Sequence, residues 1–169
     1  MHSIYKSCEG GKAHGLRLLQ AKGFRVPDFI VVQSNTELAT IAQFMQQYPE
    51  ASFAVRSSSL QEDGVDHSFA GQFETFLEVR GIEAVEKAVK ACFIAADSNR
   101  VAAYTKAKRL QKDAQDAMAV IIQVMIQADY AGVAFSVDPV HNRRDLCLIQ
   151  YVKGAGHQLV DGLAKAASI

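Results

Sequence analysis

Apolar and polar residues follow two periods along the chain, and each period predicts one kind of element. Apolar residues at helical spacing predict helices over residues 10–22, 38–45, 82–96 and 100–110. Gly23 is a natural stop for the first helix. Ser34 and Glu37 are spaced as a capping box before the second helix, in which the serine oxygen accepts a backbone N–H and the glutamate reaches back.

Short apolar or alternating runs predict strands between these helices. The runs cover residues 29–32, 52–56, 72–80, 118–125, 133–137 and 146–152. In the third run, alternation assigns Phe73, Thr75, Leu77 and Val79 to one face. Strands and helices are mixed without a strict strand–helix–strand rhythm, which predicts an α+β fold with antiparallel hairpins.

One long polar segment interrupts this pattern, within VRSSSLQEDGVDHSFAGQFETFL at Val55–Leu77. The segment begins as a strand, becomes rich in serine, glycine and acidic residues, and then returns to alternation. Surface loops of this length are usually functional or disordered. The segment is therefore a candidate for function.

Composition narrows the class of protein. The chain has 169 residues, 49% of them hydrophobic, which is enough for one compact domain or a domain with a small lobe. It carries 18 basic and 18 acidic residues, so no overall positive charge indicates nucleic acid or a lipid surface. Three scattered cysteines indicate reduced thiols in a cytoplasmic protein. Neither a signal peptide, a transmembrane segment nor a metal motif is expected.

Two separate cations lie beside small residues. Gly10 and Gly11 precede Lys12 at a helix start, where backbone N–H groups can bind an anion, although a P-loop spacing is absent. The other interpretation is a glycine-rich N-cap with an exposed lysine. Arg56 before three serines offers a fork for phosphate oxygens, or else pairs with Glu62 or Asp63. Together the two cations favour a polyphosphate ligand.

Three further positions extend this hypothesis. Gly71 and Thr75, in SFAGQFET, have the backbone freedom and the hydroxyl to close over a polyphosphate, or they form an ordinary hairpin tip. Gln123 is the polar residue in the apolar run MAVIIQVM. A glutamine buried there needs partners, commonly a neighbouring loop and alternatively the edge of a base.

Three segments, in this order, resemble a known family: GGKAHGLRLLQAKGFRVPDFIVV, FAVRSSSLQEDGVDHSFAGQFETFLEV and AVIIQVMIQADYAGVAFSVDPV. They are similar to the N-terminal nucleotide-binding domain of phosphoenolpyruvate synthase, which pyruvate phosphate dikinase and rifampin phosphotransferase share. The resemblance covers about 10–162 and is most specific in the second segment. It implies an ATP-grasp-like domain, with a first lobe over about 1–117 and a hinge strand plus the start of a second lobe over about 118–169.

The resemblance also implies roles for individual residues. Lys12 and Arg56 would hold the phosphates of ATP and act as the catalytic cations. Gly71 and Thr75 would belong to a mobile loop over the phosphates, and Gln123 would lie near the adenine. The long polar segment would then be a phosphate lid that opens and closes. In the family, phosphate passes from ATP to a histidine on a separate domain and then to pyruvate, with Mg²⁺ bridging phosphates.

The chain departs from the family pattern in ways that limit this expectation. The Mg²⁺ ligands, the rest of the second lobe and the phosphohistidine domain are expected outside the chain. Gln150 and His157 stand where the family usually has glutamates. The resemblance therefore implies a chain that binds ATP weakly and turns over little in isolation.

Two other functions stay open. The chain is alternatively a non-catalytic regulatory module, which the loss of charge at Gln150 and His157 favours; its function should then survive Lys12→Ala with Arg56→Ala. It is alternatively part of a rifampin phosphotransferase-like enzyme, because AFSVDPV is equally similar to that branch. An incomplete second lobe would leave apolar surface uncovered, from which we expect self-association into a homo-oligomer.

Overall fold

The computed structural model describes residues 6–59, 75–106, 118–138, 141, 143–156, 159 and 167–168. The helices are α1 (Lys6–Ala21), α2 (Leu38–Gln46) and α3 (Ile82–Lys106). The strands are β1 (Phe29–Val32), β2 (Phe53–Ser59), β3 (Thr75–Val79), β4 (Met118–Val124), β5 (Tyr130–Phe135), β6 (Leu148–Lys153) and β7 (Ala167–Ser168). This is the predicted mixture of helices and strands, and every strand pairing among the described residues is antiparallel.

The chain divides into two compact units, residues 1–125 and residues 126–169. The first unit holds a four-stranded sheet in the order β1-β4-β2-β3, and the second holds a three-stranded sheet in the order β5-β6-β7. β4 belongs to the sheet of the first unit, where it pairs with both β1 and β2. The lobe boundary expected near residue 117 stays a prediction.

One face of the four-stranded sheet forms the main hydrophobic core. Val55 of β2 lies opposite Ile122 of β4, and Val32 of β1 lies opposite Val120. These side chains pack against α2 and α3, and the cluster consists of Val32, Ile41, Phe44, Phe53, Val55, Val85, Ala88, Val89, Cys92, Val120 and Ile122. Burial on both faces explains why β4 is a nearly continuous apolar run.

α3 is a single helix, whereas the sequence pattern predicts two helices separated near residues 97–99. The predicted break is wrong, because helical geometry continues from Ile82 to Lys106. The predicted inward face is confirmed at Val85, Val89 and Cys92, which are buried in the core. Residues 97–99 are polar, but helical hydrogen bonds do not require an apolar residue at each turn.

β3 contains a bulge that changes which residues face the core. Phe53 pairs with Val79 and Val55 pairs with Phe76, so three steps on β3 oppose two steps on β2. Glu78 within this segment has φ of 56°. Phe76 and Val79 pack against the core, while Leu77 is 41% exposed. The predicted face is therefore wrong, because the bulge separates Val79, which packs against the core, from Thr75 and Leu77, which are exposed; Phe73 lies outside the described residues.

The predicted capping-box residues close the turn before α2 and do not cap the helix, because Glu37 itself is at the N-cap and makes no side-chain capping hydrogen bond among the described residues. Glu37 Oε1 accepts the Ser34 N–H at 3.0 Å and the Gln33 N–H at 2.8 Å. The Ser34 hydroxyl accepts the N–H of Thr36 at 3.2 Å. These bonds satisfy backbone donors in the turn that precedes Leu38, the first residue of the helix.

The second unit is an antiparallel hairpin with one short added strand. β5 pairs with β6 from Tyr130–Lys153 to Phe135–Leu148, and β6 pairs with β7. The strand predicted from residue 133 thus begins three residues earlier. Among the described residues, none of the helices has the length and apolar character needed to cross a membrane.

Candidate functional site

The strand register gathers three of the predicted site residues on one face of the four-stranded sheet. Arg56 lies directly opposite Thr75 on β3 and opposite Ile121 on β4. Gln123 is two residues beyond Ile121 and lies opposite Ala54. Directly paired residues, and residues two apart on one strand, point to the same face. Arg56, Thr75 and Gln123 therefore share the face opposite the main core, and Arg56 and Gln123 are diagonal neighbours.

α1 lies across this same face and brings the fourth residue. The N–H of Ala13 donates to Ser58 Oγ at 3.2 Å. Ser58 follows Arg56 by two residues and so points to the same side of β2. Lys12 Nζ donates to the carbonyl oxygen of Ser57 at 3.4 Å. Lys12 and Arg56 are far apart in sequence but meet at neighbouring positions of β2. Arg56 belongs to the strand, and Lys12 bonds to the carbonyl oxygen of the next residue, Ser57.

Gly10 explains how α1 comes so close to β2. Its backbone has φ of 76° and ψ of 170°, a kink inside α1. A Cβ at this position would lie 2.5 Å from the carbonyl carbon of Ser58, so only glycine fits without movement of the backbone. The structure therefore gives Gly10 a packing role. Its contact with a phosphate stays a prediction, and one N–H of the helix start, that of Ala13, is already bonded to Ser58.

A carboxylate and a guanidinium on α1 form a bidentate ion pair that the sequence pattern does not single out. Arg17 Nε lies 2.6 Å from Glu9 Oε2, and an Arg17 terminal nitrogen lies 2.8 Å from Glu9 Oε1. Glu9 is buried, and the guanidinium lies 5.7 Å from the centre of the Phe29 ring. A signal was present, since Glu9 is an acidic residue directly before two glycines, but its partner is eight residues away.

Gln123 shows which of its two expected partners it has. The residue is 8% exposed, and its side-chain Nε2 donates to the carbonyl oxygen of Pro27, in the loop before β1, at 3.2 Å. This bond confirms the interpretation that a neighbouring loop satisfies the buried amide. Contact with the edge of a base stays a prediction.

The predicted site residues differ in whether the structure describes them and in how exposed they are. Gly71, and the acidic residues Glu62 and Asp63, lie outside the described residues. Thr75 is exposed at the beginning of β3, and Arg56 is half-buried. The face is therefore covered at Gln123 and open at Thr75, where the polar segment rejoins the sheet.

Ionisable groups of the second unit form a separate cluster around the turn between β5 and β6. Asp138 Oδ2 lies 2.7 Å from His141 Nδ1, and the N–H of His141 donates to Asp138 Oδ1. The hydrogen bond from Arg143 holds the pKa of Asp145 below its usual value. Within the described part of the chain, no group of three or more His, Cys, Asp or Glu side chains is placed to hold a metal ion.

Comparison with known families identifies the class of domain. A family model described as "Pyruvate phosphate dikinase, AMP/ATP-binding domain" matches residues 35–168. The chain therefore belongs to this family of nucleotide-binding domains, which confirms the resemblance read from the sequence. Arg56, Gly71, Thr75 and Gln123 lie within the matched residues, and Lys12 precedes them.

Individual relatives carry different names within the family. The prodigiosin synthesizing transferase PigC of Serratia marcescens is 42% identical over 112 residues, covering 66% of this chain and 12% of PigC. The rifampicin phosphotransferase of Bacillus subtilis is 33% identical over 130 residues, covering 75% of this chain and 14% of that protein. A probable phosphoenolpyruvate synthase of Methanocaldococcus jannaschii is 35% identical over 113 residues, covering 67% of this chain and 9% of that protein. The chain thus spans a small part of each relative.

Solved structures resemble the chain only distantly. The dinucleotide-forming acetyl-coenzyme A synthetase 1 of Ca. Korarchaeum cryptofilum matches with a TM-score of 0.48 at 14% identity, over 90% of this chain and 56% of that one. A similarity of this size does not define the fold, and the ATP-grasp-like architecture stays a prediction.

Proposed function

We propose that the first unit binds ATP on the sheet face crossed by α1, with Lys12 and Arg56 as the phosphate-binding cations. The observation that carries this proposal is the geometry around β2: Arg56 stands on the strand while Lys12 reaches the carbonyl of the next residue, Ser57. Two cations brought together in this way match the repeated negative charge of a polyphosphate. Membership of an AMP/ATP-binding family supports the same ligand.

The remaining site residues have complementary roles in this proposal. Thr75, directly opposite Arg56, offers a hydroxyl at the open end of the face, and Gly71 lies in the polar segment that leads to it. This segment acts as the lid over the phosphates. Gln123, oriented by the Pro27 carbonyl at the covered end, marks the side on which the adenine lies.

The proposed chemistry is phosphoryl transfer by a phosphoenolpyruvate synthase-like dikinase, of which this chain supplies the ATP-binding portion. A histidine on another domain receives phosphate from ATP and then passes it to pyruvate. Catalysis of this kind rests on positioning and charge neutralisation, which are the roles we assign to Lys12 and Arg56. Mg²⁺ is proposed as the second cofactor, with the ligands that the family resemblance implies outside this chain.

Calorimetric titration of ATP with Mg²⁺ into the 169-residue chain tests the phosphate site. We expect weak binding that Arg56→Ala removes. Arg80→Ala is the matched control, because Arg80 is an exposed arginine of the same unit whose described bond is to the Glu50 carbonyl. Equal loss of binding in both variants, or none in Arg56→Ala, would contradict the assignment of Arg56.

Turnover is a separate question from binding. We expect the isolated chain to show no measurable Mg²⁺-dependent ATP cleavage, because the proposed acceptor histidine and metal ligands belong to other parts of a dikinase. Release of AMP or ADP above the rate of a Lys12→Ala variant would overturn this expectation.

A second candidate is phosphoryl transfer to a hydroxyl of a larger acceptor. The match to the rifampicin phosphotransferase of Bacillus subtilis favours it, since that match covers 75% of the chain against 67% for the probable phosphoenolpyruvate synthase. Because the isolated chain is expected not to turn over, the two candidates are separated with the chain joined to the acceptor domains that the proposal places outside it. ATP and Mg²⁺ are offered with either pyruvate or rifampicin, and the products are analysed by mass spectrometry. Phosphorylated rifampicin would decide for the second candidate.

A further inference from the structure

The ion pair between Glu9 and Arg17 lies on both sides of Lys12 in the sequence. Glu9 precedes the kink at Gly10, and Arg17 follows on the continuous part of α1. The Glu9 side chain is 12% exposed and the Arg17 side chain 44% exposed. A bidentate pair in this position joins the segment before the kink to the helix after it, so it restricts how the helix start, and with it Lys12, can move.

The ion pair also neutralises a buried negative charge, the Glu9 carboxylate. Glu9 is three residues from Lys12 and mostly buried, where a carboxylate without a partner would be costly and would oppose a nearby phosphate. Both Glu9 oxygens accept hydrogen bonds from Arg17. The Glu9 carboxylate is therefore neutralised by Arg17 within α1 and is not an uncompensated charge close to Lys12.

A second set of contacts, close to Lys12, holds α1 against the sheet. The Ala13 N–H to Ser58 Oγ bond lies one residue beyond Lys12, and the Gly10 backbone approaches Ser58 closely. Arg17 is further held above the Phe29 ring of β1. α1 thus contacts β2 at Gly10 and Ala13 and β1 at Arg17, and Lys12 lies between these positions in the sequence.

We propose that Glu9 and Arg17 are positioning residues for Lys12, which set its place beside β2 and keep the phosphate side free of uncompensated negative charge. The inference rests on the proposed function for its ATP readout, and on the described contacts for its structural readout. Arg17 itself does not contact the ligand in this proposal.

Affinity for ATP with Mg²⁺, measured by calorimetry, separates positioning from direct contact. Arg17→Met leaves Glu9 without its described partner, and we expect affinity to fall by at least about tenfold. Glu9→Met with Arg17→Met removes the buried charge as well as the tether, and should recover only the part of that loss that the unpaired carboxylate causes. Arg143→Met, which breaks the exposed pair with Asp145 in the second unit, is the matched control and should leave affinity unchanged. Glu9→Met alone keeps the Arg17 guanidinium but removes the pair, so affinity should fall in this variant as well. An unchanged affinity in Glu9→Met would show instead that Arg17 contacts the phosphates.

The position of Lys12 has a readout that does not need ATP. Amine labelling with trinitrobenzenesulfonate, followed by peptide mass spectrometry, gives the rate at Lys12 relative to the exposed Lys153. We expect Arg17→Met and the double variant to raise this ratio by at least about threefold, because the tether of the helix start is lost in both. Circular dichroism melting of the same samples verifies that each variant is folded at the labelling temperature.

The combined outcomes distinguish the two proposals. An unchanged labelling ratio in the folded double variant would overturn the positioning role, whatever ATP does. A raised ratio in a chain that shows no ATP binding would retain the positioning pair and refute the proposed phosphate site.

Discussion

Gly10 is the residue whose identity most directly determines where α1 lies. Gly10→Ala would place a methyl group 2.5 Å from the Ser58 backbone and force an alanine to a φ of 76°. We expect the free energy of unfolding to fall by about 2–4 kcal/mol, as overpacking and left-handed strain combine. Urea unfolding followed by circular dichroism measures this change.

Gly15 supplies the control on the same helix. Among the described residues, nothing outside its own stretch of helix lies within 4 Å of a Cβ built there, and its φ is not in the left-handed region. Gly15→Ala should therefore stabilise the helix by up to about 1 kcal/mol. If both substitutions had the same effect, the close approach of Gly10 to β2 would not be the cause.

Tyr48 and Asp28 make stability depend on pH in the alkaline range. The Tyr48 hydroxyl donates to Asp28 Oδ2 at 2.5 Å, and this bond raises the pKa of Tyr48 above its usual value of 10.0. Because the folded pKa lies above the unfolded one, the stabilisation is present below about pH 10 and is lost as pH rises through the folded pKa. Melting temperatures are measured between pH 8 and pH 12, about two units on either side of the usual tyrosine pKa. The melting temperature should fall less at alkaline pH in Tyr48→Phe than in the unsubstituted protein. An identical pH profile in both proteins would contradict this linkage.

At the scale of the element, the β3 bulge makes an unequal demand on two neighbouring residues. Phe76 packs against the core and Leu77 is 41% exposed. Phe76→Ala should lower the free energy of unfolding by about 2–3 kcal/mol, and Leu77→Ala by less than about 1 kcal/mol. Chemical denaturation of the two variants measures the difference. Simple alternation predicts the reverse order, so a larger effect at Leu77 would mean that the bulge is absent in solution.

Elements with strong local signals were predicted well from sequence, and those that depend on a partner strand were not. The apolar run at 118–125 and the helical spacing of Val85, Val89 and Cys92 correspond to β4 and α3. The register on β3 was missed because a bulge is a property of a strand pair, not of one strand. The extent of α3 was missed because tertiary packing and helical cooperativity, rather than local period, decide where a helix ends.

At the scale of the whole molecule, the buried apolar residues are distributed unequally between the units. Among the described residues, every buried hydrophobic side chain except Val152 belongs to residues 1–125. We expect a chain ending at Met125 to fold and unfold cooperatively, while residues 126–169 alone do not, since segments of about 40 residues rarely bury enough surface. Circular dichroism melting of both pieces checks this. A cooperative transition in residues 126–169 would contradict it.

The second unit also presents apolar side chains to solvent. Its exposed large hydrophobic residues among those described are Ile126, Tyr130, Val133, Phe135, Val137, Leu146 and Ile149. Such a concentration favours association with another surface, and we expect the isolated chain to self-associate. Light scattering should show a concentration-dependent mass that Val133→Ser with Phe135→Ser lowers. A monomer of high thermal stability at all concentrations would exclude this.

The candidate site shows the same division between local and tertiary information. Lys12, Arg56, Thr75 and Gln123 were chosen from residue types and from a family resemblance, which the match to residues 35–168 confirms at the level of the family. That three of them share a sheet face follows only from the pairing of β2 with β3 and β4. Their individual roles toward ATP remain the proposals tested above.

Local sequence was sufficient for the kinds of element, the mixed α+β class and the candidate phosphate-binding cations, because propensity, period and charge belong to short stretches of chain. The contacts of α1 with β2, the bulge in β3 and the Glu9–Arg17 pair were decided by tertiary structure. Each depends on atoms brought together across the fold or across a kink, such as Gly10 against Ser58. The spacing of apolar residues along the chain does not determine these distances, since they arise only when the helix packs closely against the sheet.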